Sequence, residues 1–276
     1  MVEVRTRVGT VPVRITGEGP PVLAVHGLLV NGRLWDGVAR LLAPHARVIA
    51  PDLPLGSQRR AVPDRTRLTP PLVAQALGDV LDGLDVPDAV VVGNDTGGAL
   101  AQLFAAGDRD RVRALVLAGC DAFEHFPPPL LRPVVPLAAV PGFTSLFVRL
   151  FALTPLLAEP GPLNLLTARG TGRAFADEVL TPARTDPAVR ADLTAFLRSV
   201  RARQLLDVVE GLRGLRGAVL WGRRDRLFPP GDAERLAALL GTTVTWLDDA
   251  LAFVPVDRPD AVADAVRALL PAHPSR

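Results

Sequence analysis

The clearest candidate for chemistry in this sequence is an aspartate inside a run of small residues, Gly93-Asn94-Asp95-Thr96-Gly97-Gly98. Four apolar residues precede the run and predict a buried strand, and the alanine-rich segment after it predicts a helix. Small neighbours let a helix start close to a strand, and the amino end of a helix stabilises an anion. The pattern favours a nucleophilic or acid–base role for Asp95, with the N–H group of Thr96 directed at developing negative charge. The alternative is that Asp95 only caps the helix.

Alternating strands and helices must hold this turn in place. Short apolar runs bounded by turn residues predict strands, and apolar residues three or four positions apart predict helices. Their alternation indicates an α/β fold with a mostly parallel, eight-stranded sheet covered on both faces. Strands are predicted at 2–8, 11–16, 22–27, 46–52, 89–95, 113–120, 217–225 and 242–249, and helices at 31–42, 71–84, 96–106, 232–240 and 260–270.

The alternation is interrupted between residues 121 and 205. This stretch has many prolines, several amphipathic helical segments and no convincing strand pattern. We therefore predict a core domain formed by residues 1–120 and 206–276 and a helical cap formed by residues 121–205. The apolar side chains of the cap favour a hydrophobic small molecule over a sugar or a phosphate.

Composition excludes several classes of function. All 31 basic residues are arginine, so there is no lysine for a Schiff base or a phosphate-binding loop, and there is no tyrosine. A net charge of +2 with scattered arginines predicts no nucleic-acid partner. One cysteine, four scattered histidines and the glycine spacing predict no disulfide, no metal site and no dinucleotide cofactor. Without a membrane-spanning run or a recognisable signal peptide, we expect a cytoplasmic monomer or homodimer with no membrane partner.

Three segments together resemble an α/β-hydrolase with a helical cap: the Asp95 turn, His26-Gly27 after the third strand, and the run from Trp221 to Asp225 after the insertion. An aspartate at the nucleophile position is similar to the haloalkane dehalogenase and epoxide hydrolase branch. The resemblance implies that Asp95 attacks a carbon atom to form an alkyl ester, which a histidine-activated water then hydrolyses. It also implies that the N–H groups of Leu28 and Thr96 bind an oxyanion and that Asp225 orients the histidine. The alternative for Asp225 is an ion pair with its neighbouring arginines.

The sequence departs from this branch where the base should stand. The loop after the last strand should carry the catalytic histidine, but Ala252 occupies that position in the segment Leu251–Pro255. The tyrosines that protonate an epoxide are absent. Thr96 and Leu28 stand where haloalkane dehalogenases have a halide-binding tryptophan and asparagine. Of the histidines, His26 is expected to brace its loop, and the others, none of them on the loop after the last strand, are His45, His125 and His273.

Several explanations for the missing base stay open. His125, beside Asp121 at the entry of the cap, could lie over Asp95 and act as the base, or it could simply pack the cap. Asp248 or Asp249 could serve as the base, or could be a solvated strand end. A desolvated aspartate with a raised pKa also suits proton transfer in an isomerase, cyclase or lyase. A catalytically inactive relative that only binds an apolar ligand is the non-enzyme hypothesis.

We therefore predict a cofactor-independent α/β-hydrolase-fold enzyme that acts on a hydrophobic small molecule, first of all as a hydrolase of epoxides, carbon–halogen bonds or esters. The predicted catalytic residues are Asp95 and Asp225, and the predicted oxyanion site uses Leu28 and Thr96. Six further residues are predicted to contact the substrate: Asn31, Trp35, Asp121, His125, Phe126 and Phe253.

Overall fold

An eight-stranded sheet forms the centre of the computed structural model, which describes residues 1–153, 158–159 and 165–271. Its strands are β1 (Val2–Thr6), β2 (Gly9–Thr16), β3 (Pro21–Val25), β4 (Arg47–Pro51), β5 (Ala89–Asp95), β6 (Val112–Cys120), β7 (Gly217–Gly222) and β8 (Val244–Leu247). They lie in the order β1-β2-β4-β3-β5-β6-β7-β8. β2 is antiparallel to both of its neighbours, and the remaining pairs are parallel. The mostly parallel, eight-stranded α/β sheet predicted from the sequence is confirmed.

The helices pack on this sheet through small and aliphatic side chains. The helix after β5 is buried from its first residue to Ala105, which accounts for its alanine and glycine content. The helices are α1 (Asp36–Leu42), α2 (Pro70–Asp82), α3 (Thr96–Gly107), α4 (Val134–Leu137), α5 (Phe143–Leu153), α6 (Arg173–Thr185), α7 (Pro187–Ser199), α8 (Arg203–Leu206), α9 (Pro230–Leu240), α10 (Val254–Asp257) and α11 (Pro259–Leu269).

Most predicted elements differ from the observed ones by a few residues at their ends, and two of these differences have a clear physical cause. The helix predicted at 31–42 is split into a 3-10 turn over Gly32–Trp35 and α1, because the Asn31 side chain accepts a hydrogen bond from the Arg33 N–H at 3.0 Å and caps the turn. The strand predicted at 217–225 ends at Gly222, where the chain passes so close to the next loop that a Cβ atom would lie 2.5 Å from the Ala250 carbonyl oxygen. Asp225 therefore lies in a turn beyond the strand.

Between β6 and β7, the described residues form helices and turns without a strand. Helices α4, α5 and α7 in this segment lie over the ends of β5 and β6, because residues of all three helices line one cavity together with Asp95 and Asp121. Part of the predicted cap, residues 154–157 and 160–164, is outside the described residues, and the division into core and cap stays a prediction. In the described part of the chain, no helix combines the length and apolar character needed to span a bilayer.

Candidate active site

Asp95 sits on a strained turn between β5 and α3. Its backbone angles, φ 55° and ψ −137°, are rare for a residue with a side chain. Glycines on either side make the turn possible: a Cβ atom at Gly93 would lie 2.7 Å from the Gly97 carbonyl oxygen, and one at Gly97 would lie 2.2 Å from that of Val25. The spacing of small residues in the sequence thus corresponds to backbone contacts with no room for a methyl group.

Two backbone N–H groups converge on the Asp95 carboxyl group. Leu28 N–H donates to Oδ2 at 3.0 Å from the loop after β3, and the N–H of Thr96 at the start of α3 is near enough to lower the pKa of the same carboxyl group. The loop comes this close because residue 27 is glycine; a Cβ atom at Gly27 would lie 2.0 Å from Oδ2. The structure therefore brings together three of the predicted site residues in an arrangement that can hold a carboxylate or ester oxygen.

The Asp95 carboxyl group lines an apolar cavity of about 230 Å³. Asp121, Phe126 and Phe253, three of the residues predicted to contact substrate, line the same cavity. The rest of the described wall is almost entirely aliphatic or aromatic, and it comes from residues 28–30, 127, 128, 130, 131, 134 and 135, from Phe147 and Phe151 of α5, from residues 165 and 166, from Leu193, Leu197 and Val200 at α7, and from Leu227.

Three other predicted contact residues lie outside the described cavity wall. Trp35 is fully buried in the core, and its indole Nε1 has no hydrogen-bond partner among the described residues. Asn31 uses its side chain to cap the 3-10 turn. His125 lies one residue before the cavity-lining Phe126, but its ring turns away to Asp232, with Nδ1 2.7 Å from Oδ2. The contact role predicted for these three residues receives no support from their positions.

The surroundings of His125 form a small charged cluster with its own cation. Glu124, His125 and Asp232 could between them offer three ligand atoms to a metal ion. The guanidinium of Arg235, however, lies 2.7 Å from Glu124 and 3.5 Å from Asp232 and pairs with both carboxylates. Since an arginine supplies the positive charge there, the cluster needs no metal ion to account for it.

His26 is held by two hydrogen bonds that match one neutral tautomer. Its Nε2 accepts from the Leu53 N–H at 2.8 Å, and its Nδ1 donates to the Gly27 carbonyl oxygen at 2.8 Å. Burial lowers the pKa of this imidazole, which keeps it neutral. Both ring nitrogens are thus engaged in bracing the loop that carries Leu28.

Neither of the strand-end carboxylates considered as a base reaches the cavity. Asp248 is exposed and pairs with Arg223 at 2.7 Å, and Asp249 is exposed and pairs with Arg258 at 3.1 Å. His273 lies outside the described residues.

Three carboxyl groups around the turn have raised pKa values. Burial raises the pKa of Asp95 to about 7, against the hydrogen bonds from Leu28 and Thr96, and the nearby Asp225 adds to the rise. Burial, followed by the charge of Asp95, raises the pKa of Asp121 well above its usual range. Burial also raises the pKa of Asp225 to about 7. The pKa values of Asp95 and Asp225 therefore both lie near neutral pH, where a negative charge on Asp225 disfavours ionisation of Asp95.

Asp225 has one engaged and one unengaged carboxyl oxygen. Its Oδ1 accepts from the N–H groups of Leu227 at 2.7 Å and Phe228 at 3.1 Å, whereas its buried Oδ2 has no hydrogen-bond partner in the described chain. Ala252, at the place where a histidine was expected, is fully buried on the loop that passes Gly222. Among the described residues, no histidine ring is hydrogen-bonded to the Asp225 carboxyl group.

Sequence reasoning missed the side chains that hold the loops around the turn. Asn94 donates from Nδ2 to the carbonyl oxygens of Gly119 at 2.9 Å and Ala252 at 2.8 Å, which ties the ends of β5 and β6 to the loop of Ala252. The position of Asn94 next to Asp95 could have indicated a structural role, but its hydrogen-bond partners are distant in sequence and could not be identified from it. The contribution of α7 to the cavity was also missed, because Leu193 and Leu197 are spaced like any core-facing helical stripe.

Comparison with known proteins agrees with this architecture. The family model described as "alpha/beta hydrolase fold" matches residues 20–259, most of the chain. The chain belongs to the α/β-hydrolase fold family. Among solved structures of that fold, haloalkane dehalogenase DbeA from Bradyrhizobium elkani superposes with a TM-score of 0.80 at 21% identity, over 97% of this chain and 96% of that one. At that identity the likeness shows the α/β-hydrolase fold alone.

Relatives within the α/β-hydrolase family differ in how much of the chain they match. Haloalkane dehalogenase 2 from Mycobacterium bovis is 27% identical over 259 residues, which cover 91% of this chain and 87% of that protein. An uncharacterized protein of Mycobacterium bovis is 38% identical over 104 residues, and there the match spans only 30% of the relative's length. Dehalogenases, epoxide hydrolases and esterases are thus among the proteins to which this chain is similar.

Proposed function

We propose that the protein is an enzyme that acts on a hydrophobic small molecule through Asp95, and that it is a hydrolase of an epoxide, a carbon–halogen bond or an ester. The observation that carries the proposal is the Asp95 carboxyl group itself. One oxygen is held by the N–H group of Leu28, and the carboxyl group lines a cavity with apolar walls. The hydrolases among its relatives support the same reaction class.

The first half of such a reaction uses only groups that are in place. With an alkyl halide, an Asp95 oxygen attacks the carbon, the new C–O bond makes an alkyl ester, and the halide departs with the electron pair of the broken bond. With an epoxide, the same attack makes an alkyl ester, and the opened oxygen stays on the molecule and takes a proton from water. With an ester substrate, attack on the acyl carbon makes a mixed anhydride and releases the alkoxide, which takes a proton from water and leaves as the alcohol. The ester carbonyl oxygen then lies where Leu28 and Thr96 donate their N–H groups. Hydrolysis requires water to add to the ester carbon of Asp95 and lose a proton, and a general base accelerates that step by about 10²–10⁴-fold. With Ala252 in the histidine position, we expect the ester to form faster than it is hydrolysed.

A second candidate function is proton transfer without water. It is favoured by the unpartnered Oδ2 of Asp225 and by the pKa of about 7 for both Asp95 and Asp225. A carboxyl group with a pKa near the working pH exchanges a proton efficiently, which suits an isomerase, a cyclase or a lyase. In that reaction Asp95 takes a proton from carbon and returns it elsewhere on the same molecule, and no ester forms.

The intact mass of the protein distinguishes these candidates. Purified protein is incubated with a panel of alkyl epoxides, alkyl bromides and activated esters, and the same panel is given to Asp95→Asn and to Asp248→Asn as an exposed-carboxylate control. We expect a single added mass in the wild-type protein and in Asp248→Asn, and none in Asp95→Asn. Turnover without an added mass also supports hydrolysis, provided that Asp95→Asn abolishes it.

Two results count against the hydrolase proposal. If neither adduct nor turnover is detected with any member of the panel, proton transfer becomes the better candidate, and exchange of substrate C–H hydrogens in D₂O becomes the assay. If exchange is also absent and Asp95→Asn keeps the ligand affinity of the wild-type protein, the chain is a binding protein with no role for Asp95 in chemistry.

A further inference from the structure

Asp121 is the second carboxyl group in the cavity, and one of its oxygens is unused. Its Oδ2 accepts a hydrogen bond from the Thr96 hydroxyl at 3.0 Å, and its backbone carbonyl accepts one from Gln102 at 2.8 Å. The side chain is therefore fixed in position at the end of β6. Oδ1 is buried, and the described residues offer it no hydrogen-bond donor, although the residue is only 1% exposed and lines the cavity.

Among the described residues, no arginine forms an ion pair with a carboxyl group of this part of the site. None of the ion pairs in the described chain includes Asp95, Asp121 or Asp225. The arginine packed nearby, Arg235, is engaged by Glu124 and Asp232. Buried carboxyl groups are normally paired with a cation or fully hydrogen-bonded, so a desolvated group without either is an incomplete site.

We propose that the cavity binds a hydrophobic amine, whose nitrogen donates a hydrogen bond to Asp121 Oδ1 and whose positive charge lies beside Asp95, while its hydrocarbon part fills the apolar walls. This inference rests on the proposed function in one respect, because it places the reacting carbon of the same molecule against Asp95. The amine is the group by which the substrate is recognised and is not the leaving group.

A cation fits this site better than a neutral oxygen does. A carbonyl or ether oxygen can only accept a hydrogen bond, so it can bind Asp121 only while the Asp121 carboxyl group is protonated. The same oxygen is repelled by Asp95 once Asp95 ionises to react. An ammonium group donates to Asp121 in either state and is attracted by Asp95 and Asp225 as well. The carboxyl groups are already desolvated in the folded protein, so the ligand nitrogen bears most of the remaining desolvation cost.

Titration calorimetry with a matched pair of probes tests the inference. The full-length protein is titrated at neutral pH with n-octylamine and with 1-octanol, which differ in the head group only. We expect the amine to bind at least tenfold more tightly than the alcohol. In Asp121→Asn, an isosteric change that keeps an acceptor for Thr96, we expect amine affinity to fall at least tenfold and alcohol affinity to change less than threefold.

Asp232→Asn is the matched control. It removes a buried carboxylate that is close enough to affect the pKa of Asp121 but that lies outside the described cavity wall. Amine affinity within threefold of wild type in this variant supports a direct contact at Asp121. Equal affinity of the two probes, or equal loss of amine binding in Asp232→Asn and Asp121→Asn, overturns the inference.

The outcome is separable from that of the proposed function. An Asp95 adduct in the mass experiment with no preference for octylamine leaves the hydrolase proposal standing and removes the amine. A preference for octylamine that depends on Asp121, without adduct or turnover, keeps the amine site and removes the hydrolase proposal.

Discussion

At the scale of single residues, the site is defined by carboxyl groups in surroundings that disfavour their charge. Burial raises the pKa of Asp95 and Asp225 to about 7, and their mutual repulsion adds to the effect at Asp95. Two N–H groups oppose the rise at Asp95 by stabilising its ionised form. The balance leaves Asp95 divided between its acid and its carboxylate near neutral pH, which sets both its reactivity and its effect on stability.

The reactivity of Asp95 is expected to depend on pH through its raised pKa. Only the carboxylate attacks carbon, so the rate of adduct formation with an alkyl bromide should rise about tenfold per unit below pH 7 and level off above it. Bromide leaves without a proton, so the profile reports the nucleophile alone. Initial rates from intact mass between pH 5 and pH 9 measure it, with Asp95→Asn as the blank. A rate that is already constant above pH 5 would contradict a raised pKa.

Asp225→Asn is expected to stabilise the protein at alkaline pH. In the unfolded chain this aspartate has its ordinary pKa, and in the folded protein the pKa is about 7. Folding therefore takes up a proton between about pH 4 and pH 7, and the free energy of unfolding falls as pH rises through that window. Asparagine keeps the acceptor for Leu227 and Phe228. Its buried NH₂ group has a cost of its own, but that cost does not change with pH, so only the pH-dependent penalty is removed.

The expected signature of this variant is a difference that grows with pH. Between pH 5 and pH 8 the gain in stability over wild type should increase by about 2 kcal/mol, or about 4–8 °C in Tm. Thermal unfolding of both proteins across that range measures it. A gain that is the same at pH 5 and pH 8 would mean that Asp225 is ionised in the folded protein throughout.

At the scale of elements, the site depends on how closely α3 approaches the ends of β3 and β5. The N–H group of Thr96 reaches Asp95 because the first turn of α3 touches backbone atoms of both strands, with glycine at each contact. Leu28 reaches the same carboxyl group because His26 holds its loop through Leu53 and Gly27. The approach of these N–H groups to Asp95 is thus a product of packing between elements and not of the Asp95 turn alone.

Gly97→Ala is expected to separate these elements, and Gly107→Ala is its control. The new methyl carbon at residue 97 would lie 2.2 Å from the Val25 carbonyl oxygen, whereas one at residue 107 meets nothing within 4 Å. Both positions are in α3, where alanine is otherwise the better helix former. We expect Gly97→Ala to lower Tm by several degrees and to abolish adduct formation at Asp95, and Gly107→Ala to change neither. Similar behaviour of the two variants in thermal unfolding and mass assays would refute this account of the turn.

At the scale of the whole molecule, the buried carboxylate of Asp257 joins residues 167–169 to the loop after β8. Asp257 of α10 accepts hydrogen bonds from the Thr167 hydroxyl at 2.7 Å and from the N–H groups of Ala168 at 2.9 Å, Arg169 at 3.0 Å and Leu251 at 2.9 Å. It therefore holds the loop of Ala252 and Phe253 against residues 167–169. The wall of the cavity formed by Phe253 depends on this junction.

Asp257→Asn is expected to destabilise the protein and loosen the cavity. Replacing one carboxyl oxygen by an NH₂ group leaves at least one buried N–H group without an acceptor, at a cost of about 1–3 kcal/mol, or about 2–12 °C in Tm. Asp264→Asn, which removes an exposed carboxylate on α11, should leave Tm within about 1 °C. Thermal unfolding, together with calorimetry of octanol binding, measures both effects. Unchanged Tm and unchanged binding in Asp257→Asn would show that the junction does not support the cavity.

Much of this organisation was predictable because its signals are local. The buried strands, the helix that follows Asp95 and the small residues around it are patterns within about ten positions, and the fold follows from their alternation. Boundaries were less predictable: the capping bond of Asn31 and the contact of Gly222 with Ala250 depend on geometry that hydrophobic periodicity does not contain.

By itself, the sequence determined the fold class, the aspartate at the nucleophile position and the alanine where a histidine was expected. Only the tertiary structure decided which predicted side chains meet. It placed Asp121, Phe126 and Phe253 on the cavity, turned His125 toward Asp232, and left oxygens of Asp121 and Asp225 without partners. The physical reason is the separation along the sequence over which each kind of interaction acts. Periodicity and turn chemistry act between near neighbours, whereas burial, pairing and pKa depend on contacts between residues 25 to 158 positions apart, such as Thr96 with Asp121 and Asn94 with Ala252.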